Sequence, residues 1–484
     1  MVLSSSLSHL ALLVSLSANN VLAAPRPSSP MSLSMNLKRR VPEARSADDI
    51  SAWAANNKLA LEAKYGNTKS IAKRSSGQNL IVNQKADSSF FGSLAVGTPP
   101  VAYDVILDTG SADLWLASSD CADSACDGVP TFKASDSSTF QNKSTEFSIT
   151  YGSGAAAGSL GEDVVQMAGF SVSNQIFGVC DQVTDNLLNS PVSGLLGLAF
   201  QTIASSGASP LWQTLASSNA WDQPLMAFQL TRYNNDSKAT DLEPGGTFTM
   251  GATNTSLYTG DIDYNDIPDN DESYWLQTVS SITSQANSIS ISSGSSALAA
   301  IDTGTTLIGG PADAVAEIYS NIPDAEAGTG QLEGYYIYPC STTVNVTMAF
   351  GGKSWAISNA DFQAEQLNSN TCMGAFFSLE TGSNAPAWIV GDTFLKNVYS
   401  VFRYNPASVG FAQLSSEALA MNGVNGASTP SATIGSAAAT VSATAGTRDA
   451  NSAVALFHSS PSTTGPIISL LAITMTMFIS LRLV

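Results

Sequence analysis

Val105-Ile106-Leu107-Asp108-Thr109-Gly110-Ser111 and Ala299-Ala300-Ile301-Asp302-Thr303-Gly304-Thr305-Thr306 decide the fold of this chain. Each is an apolar strand that runs into Asp-Thr-Gly and then into a hydroxyl residue. A lone Asp in such a place ordinarily caps its own turn. Two copies in matched frames, 194 residues apart, instead imply two similar lobes meeting at one acid pair. Such a pair can share a proton and activate water, so Asp108 and Asp302 are the candidate catalytic residues.

Further motifs lie outward from the triplets. Phe91-Gly92 and Val96-Gly97-Thr98-Pro99-Pro100 precede the first, and Leu114-Trp115 follows it. Ile149-Thr150-Tyr151-Gly152-Ser153-Gly154 comes next, and Gly194-Leu195-Leu196-Gly197-Leu198 and Ile389-Val390-Gly391-Asp392 form a matched apolar–glycine pair. In this order and spacing the chain resembles the pepsin-like aspartic proteases, from roughly Asn79 to Leu414.

The resemblance implies an all-β, bilobal fold with the active site in the cleft between two β-rich lobes. It implies peptide or protein substrates and no cofactor or metal. It makes residues 149–154 a flap: Tyr151 closes over the cleft and bonds Trp115, and Gly152, Ser153 and Gly154 form the mobile tip, whose amides pair with an extended substrate. Ser111 and Thr305 stand where the family bonds the outer carboxylate oxygens, and Thr306 belongs to the same supporting set. Gly110 and Gly304 let backbone approach water and substrate. By residue type alone Trp115 and Tyr151 read as core packing; the motif reverses this for Tyr151.

The chemistry follows from Coulomb's law. Carboxylates about 3–4 Å apart repel by roughly 4 kcal/mol at an effective dielectric near 20, or about three pK units. One proton stays shared over a wide acidic range, and the pair titrates as a unit.

Charge is unevenly spread over the 484 residues, whose formal net charge is −19. Residues 24–74 hold ten Lys and Arg against four Asp and Glu, whereas residues 75–450 hold nine against 35. A basic leader on an acidic body implies an intramolecular clamp; the plain alternative is a soluble disordered leader. Nucleic acid is excluded as a partner, since the body repels phosphate. The two histidines, His9 and His458, lie in end segments expected to be removed. A body without histidine has no Ser-His-Asp or Cys-His catalysis and no His-ligated zinc.

Residues 1–23 carry an apolar run ending in Val21-Leu22-Ala23-Ala24 and read as a secretory signal. Residues 24–74 read as a propeptide, with Lys73-Arg74 or Lys38-Arg39-Arg40 as dibasic cleavage sites. By the family resemblance Lys64-Tyr65 caps the active site, the ammonium lying between the aspartates, and acid releases it. Residues 75–255 and 256–414 are the two lobes of what is expected to be a monomer. Alternating runs such as Thr247–Met250 and Thr343–Thr347 are expected strands, and Ala312–Tyr319 after Pro311 a helix. Residues 415–451 form an Ala/Ser/Thr/Gly-rich stalk. Residues 452–484 match a GPI-anchor signal with Asn451 as the attachment site; the rival is a single membrane span, for which Pro466–Leu481 is short.

A secretory route permits disulfides. The spacings of Cys121–Cys126 and Cys340–Cys372 resemble family bridges and leave Cys180 as a buried free thiol. Asn142, Asn235, Asn254 and Asn345 each begin an N-x-S/T sequon. Arg403 stands where family members often carry Asp, read here as surface or subsite variation. The combination of dibasic site, stalk and anchor resembles the yapsin group. The competing readings are a catalytically silent pepsin-like binding protein and a two-carboxylate glycoside hydrolase. The latter leaves the flap and the apolar–glycine pair without a role.

Overall fold

The computed structural model describes residues 76–234, 236–382, 385–423 and 439–443. The expected signal segment, the propeptide with Lys64 and Tyr65, Asn235, Asn451 and the anchor signal lie outside these residues.

The body is built of strands with few helices. Strands β1 (Gly77–Gln84), β2 (Ser89–Val96), β3 (Val101–Asp108), β4 (Leu114–Ala117), β5 (Gln141–Tyr151), β6 (Gly154–Met167), β7 (Phe170–Val183) and β8 (Val192–Gly197) form the first lobe. They lie in the order β1-β2-β3-β8-β4-β7-β6-β5. The same sheet continues past β1 through Leu242–Met250, Leu225–Leu230, Val398–Arg403, Ser408–Leu414 and Tyr258–Asp266. The chain beyond the second triplet therefore returns to the sheet that carries the first, and this shared sheet joins the lobes.

Local sequence explains the key strands. β3 alternates: Tyr103, Val105 and Leu107 are buried while Ala102, Asp104 and Ile106 are less so, the period-2 pattern of a strand with one face on the core. β8, Val-Ser-Gly-Leu-Leu-Gly, is buried along its whole length, as befits a strand covered on both faces. β6 and β7 are joined through Ala168 and Gly169, both with positive φ (51° and 86°), the twist a tight hairpin turn needs.

Each triplet leaves the same four-strand motif at the same place. β3 runs parallel to β8, β8 antiparallel to β4, and β4 parallel to β7. In the second lobe Leu298–Ile301 runs parallel to Trp388–Val390, which is antiparallel to Ile308–Gly310, itself parallel to Phe376–Ser378. The apolar–glycine segments are the central strands of these motifs. They bond directly to the loops after the triplets: Leu198 N to Asp108 O at 2.7 Å and Ala199 N to Ser111 O at 2.8 Å, and in the other lobe Asp392 N to Thr305 O at 2.8 Å and Thr393 N to Thr306 O at 2.9 Å. Trp275 and Trp212 clamp the first segment from outside, donating their indole N–H to Leu198 O and Ala199 O, each at 2.8 Å.

The helix Ala312–Ser320 follows Pro311 and buries Ala314, Val315, Ile318 and Tyr319, one apolar stripe at helical spacing. Cys121–Cys126 and Cys340–Cys372 are disulfide-bonded and Cys180 is a buried free thiol; burial pushes that thiol's pKa up and keeps it protonated. Two expectations need correction. The strand expected over 343–347 spans Val346–Ala349: before it, Val344 N donates to the Asn359 side chain at 2.8 Å and Thr343 O accepts from the Gln285 side chain at 2.9 Å, so side chains replace the ladder. The stalk does not begin at residue 415. Ser415 caps a short helix, Ser416–Ala420, by accepting from Ala418 N, and Ala418 is fully buried.

Candidate active site

The two triplets meet with their carboxylates buried, Asp108 5 % and Asp302 8 % exposed. Each is held by its own loop in the same way. Asp108 accepts from Gly110 N at 2.8 Å and from Ser111 Oγ at 2.5 Å. Asp302 accepts from Gly304 N at 2.8 Å and from Thr305 Oγ1 at 2.6 Å. These donors turn one carboxylate edge of each loop toward the other.

The glycines are dictated across the pair. A Cβ on Gly110 would lie 2.6 Å from the carboxylate of Asp302, and one on Gly304 would lie 2.3 Å from Oδ1 of Asp108. Each triplet thus needs glycine because the other triplet's acid is there. Burial first, and then the charge of Asp302, hold the Asp108 carboxyl well above the usual carboxylate range.

Between the acids and the strands lies a lock that sequence reasoning missed. Thr109 Oγ1 donates to Ile301 O at 2.8 Å and accepts from Thr303 N at 2.9 Å. Reciprocally, Thr303 Oγ1 donates to Leu107 O at 2.6 Å and accepts from Thr109 N at 3.1 Å. The available signal was the middle residue of the repeat, a threonine both times. Thr306 faces away, donating to Ser88 O at 2.9 Å.

The hairpin of β5 and β6 turns through Gly152 and Ser153, both exposed, with Tyr151 paired to Gly154. Tyr151 Oη accepts from Trp115 Nε1 at 2.9 Å. Burial first, then the Asp108 charge, raises the phenol's pKa, so it remains a donor. Trp115 is 1 % exposed and belongs to the core beneath, so the packing and hydrogen-bonding readings both hold for it. Burial first, and then the charges of Asp302 and Asp108, raise the pKa of the Tyr274 phenol. Its place beside the clamped Trp275 was the overlooked signal.

Behind the second loop sits a buried charge cluster. Lys396 Nζ contacts Asp87 Oδ2 at 2.6 Å and Asp361 Oδ1 at 3.0 Å, and Arg232 forks onto Asp361 through Nε (2.8 Å) and Nη2. Asp87 ends a run of three left-handed residues, Lys85, Ala86 and Asp87 (φ 50°, 50° and 72°), held by bonds from Asn83 Nδ2 at 2.6 Å and Tyr233 N at 2.7 Å. The turn leads into Ser88, the partner of Thr306. Asp392 is also buried, and its Oδ1 lacks a hydrogen-bond partner. Burial raises its pKa well above the ordinary range against the pull of Lys396.

Arg403 lies at a strand end, bonded to Ser408 Oγ at 2.8 Å and stacked over Tyr264 at 4.1 Å. It is a structural brace of that hairpin. Asn142 and Asn345 are exposed and Asn254 is half-buried. Among the described residues no group of three or more His, Cys, Asp or Glu is placed to hold a metal ion, and no helix is long and apolar enough to cross a membrane.

Comparison with known proteins fits this geometry. The eukaryotic aspartyl protease family model matches residues 89–414. Major aspartyl peptidase 1 of Cryptococcus neoformans var. grubii is 48% identical over 351 residues, 71% of this chain and 72% of that protein. Pepsin A of Sus scrofa is 34% identical over 334 residues, 67% of this chain and 81% of that protein. An aspartic protease of Phaffia rhodozyma is 31% identical over 382 residues, 76% and 88% respectively.

Proposed function

Because the chain belongs to the eukaryotic aspartyl protease family and is an aspartic endopeptidase, we propose that Asp108 and Asp302 are its water-activating pair and work at acidic pH. The carrying observation is reciprocal: each triplet's glycine leaves room for the other triplet's carboxylate. Burial and the neighbouring charge keep Asp108 protonated above the pH at which an ordinary carboxyl ionises, so the pair carries one proton. The ionised member takes a proton from water lying between them, and the protonated member donates to the peptide carbonyl. The resulting tetrahedral diol collapses as a proton passes to the leaving nitrogen. Ser111 and Thr305 hold the outer oxygens fixed through each transfer. Tyr151, with Gly152 and Ser153, closes over the extended peptide.

The same reading covers the rest of the chain. The product is a secreted zymogen, with residues 1–23 as signal and 24–74 as propeptide. Lys64 and Tyr65 cap the acids until low pH neutralises body carboxylates and weakens the leader's hold. The body, 75–414 with the following short helix, acts as a monomer on peptides and carries glycans at exposed sequons. The C-terminal segment is exchanged at Asn451 for a lipid anchor that holds the enzyme at the cell surface, as in the yapsin group.

The test is cleavage of a quenched-fluorescent peptide library from about pH 3 to about pH 7 by the full chain after acid treatment, beside Asp108→Asn and Asp302→Asn. Cleavage confined to acid and lost in both variants is expected. A folded, propeptide-free protein that cleaves nothing would favour a silent peptide-binding protein.

A further inference from the structure

The first residues of β7 have β6 on one side. On the other side β4 reaches only Gly178–Cys180, which leaves the edge at 170–174 open to another strand. That edge is occupied. Residues 439–441 lie parallel to it in the register Ala439↔Phe170, Thr440↔Ser171 and Val441↔Val172. Ser442 Oγ and Ser173 Oγ are 2.8 Å apart. Asn174 grips the backbone of Ala443 at both ends, donating through Nδ2 to its O at 3.0 Å and accepting its N–H through Oδ1 at 2.7 Å. Val441 and Ala443 are partly buried against the main hydrophobic core, which includes Phe170 and Val172 of β7.

We propose that this edge of the first lobe is a strand-acceptor site and that its occupant is the chain's own segment Ala439–Ala443. An open strand edge presents unpaired N–H and C=O groups and invites pairing with another chain. Here the tail fills it by main-chain pairing, with Asn174 reading the position at which the strand ends. The segment, Ala-Thr-Val-Ser-Ala, carries no charge, so the latch does not respond to acid as a charge-held leader does. The site also reassigns the tail mechanically. The body's last described helix belongs to the far end of the shared sheet, yet the tail is secured to the first lobe. One consequence rests on the anchored reading above, although the latch does not. Residues 444–451 span at most about 28 Å, so an anchor at Asn451 would hold the enzyme through its first lobe.

The experiment uses the full chain. Ser173→Cys with Ser442→Cys, mildly oxidised, is expected to give a covalent monomer. In parallel, Val441→Asp is expected to speed amide exchange in residues 170–174 by about tenfold and to leave peptide cleavage unchanged, since it touches neither triplet nor flap. A covalent dimer would overturn the intramolecular latch and make a second copy the occupant. No cross-link, together with unchanged exchange in Val441→Asp, would overturn the acceptor site itself. Neither readout depends on cleavage or on an anchor.

Discussion

Thr109 and Thr303 each donate a hydroxyl to the strand of the opposite lobe and accept the other's backbone N–H. This ties together, on pseudo-symmetric loops, the residues next to the two acids. Thr109→Val keeps the branched shape and removes both bonds. It strands the Thr303 N–H in a buried site, at a cost of roughly 1–3 kcal/mol. Denaturant unfolding is expected to show that loss, and Thr109→Ser to restore it. Equal stability of the Val and Ser variants would refute the lock.

The glycine of each triplet gives a sharper test of acid geometry. In Gly304→Ala the new methyl meets Asp108 Oδ1 at 2.3 Å, and the carboxylate must move. A displacement of about 1 Å at reacting groups costs about 10²-fold in rate. A fall in kcat/KM of that order, with kcat carrying it, is expected. Gly152→Ala at the flap tip meets nothing within 4 Å and serves as the mild control.

Tyr151 and Trp115 test the hairpin. Tyr151→Phe leaves the Trp115 indole N–H without its partner, weakening the closed hairpin by roughly 1–3 kcal/mol. Steady-state kinetics are expected to show kcat/KM reduced by about tenfold to a hundredfold. The melting temperature should fall modestly, because the stranded Trp115 N–H is buried. A collapse of stability without a kinetic effect would return Tyr151 to plain core packing.

What the sequence disclosed and what it hid differ in kind. The triplets and the apolar–glycine strands announce themselves through local pattern, and the resemblance they carry implied the hairpin and the two disulfides. The Asp87–Lys396 pair does not, because its members are 309 residues apart and each alone reads as a surface charge. Asn174 and Ala443, 269 apart, were hidden for the opposite reason: an Ala-Thr-Val-Ser-Ala segment in a low-complexity tail carries no periodic signal, and only the open edge of β7 gives it a place. The helix Ser416–Ala420 was likewise masked by its small residues, although Ser415 with Glu417 nearby is an ordinary helix start. The paired threonines, Thr109 and Thr303, were legible in principle, as the middle residue of the repeat both times.

The charge cluster predicts a large loss from a single change. Lys396 is 4% exposed at its side chain and serves both Asp87 and Asp361. Lys396→Met would leave Asp87 buried with hydrogen bonds but no cation and would leave Asp361 to Arg232 alone. Breaking a buried pair by removing one partner costs roughly 3–5 kcal/mol. Three consecutive left-handed residues at 85–87 depend on the Asp87 contacts, so the turn and Ser88, the partner of Thr306, are expected to loosen. Calorimetry should show the stability loss and proteolysis should show cleavage near residue 86. A variant as stable as the parent would mean that the cluster is neutral.

The pH dependence of stability follows from two opposed groups. For Asp361, burial pushes upward, but Lys396 and Arg232 outweigh it and hold the carboxyl below its ordinary value. Its contribution is present above the unfolded pKa of about 3.9 and is lost as pH falls through the lower folded value. Burial raises both Asp392 and Asp108. Their contribution is full below about 3.9 and is lost as pH rises through the raised folded values. Between mildly acid and neutral pH Asp392 and Asp108 lose this contribution, and Asp104 and Glu365, also raised by burial, act in the same direction, so the melting temperature is expected to fall as pH rises across that window. Asp392→Asn keeps the shape of a neutral carboxyl and cannot ionise, so its decline should be shallower than the parent's while its acid-side stability stays close. Parallel pH profiles for parent and variant would remove Asp392 from the account and leave the fall to the other raised carboxyls, Asp108, Asp104 and Glu365.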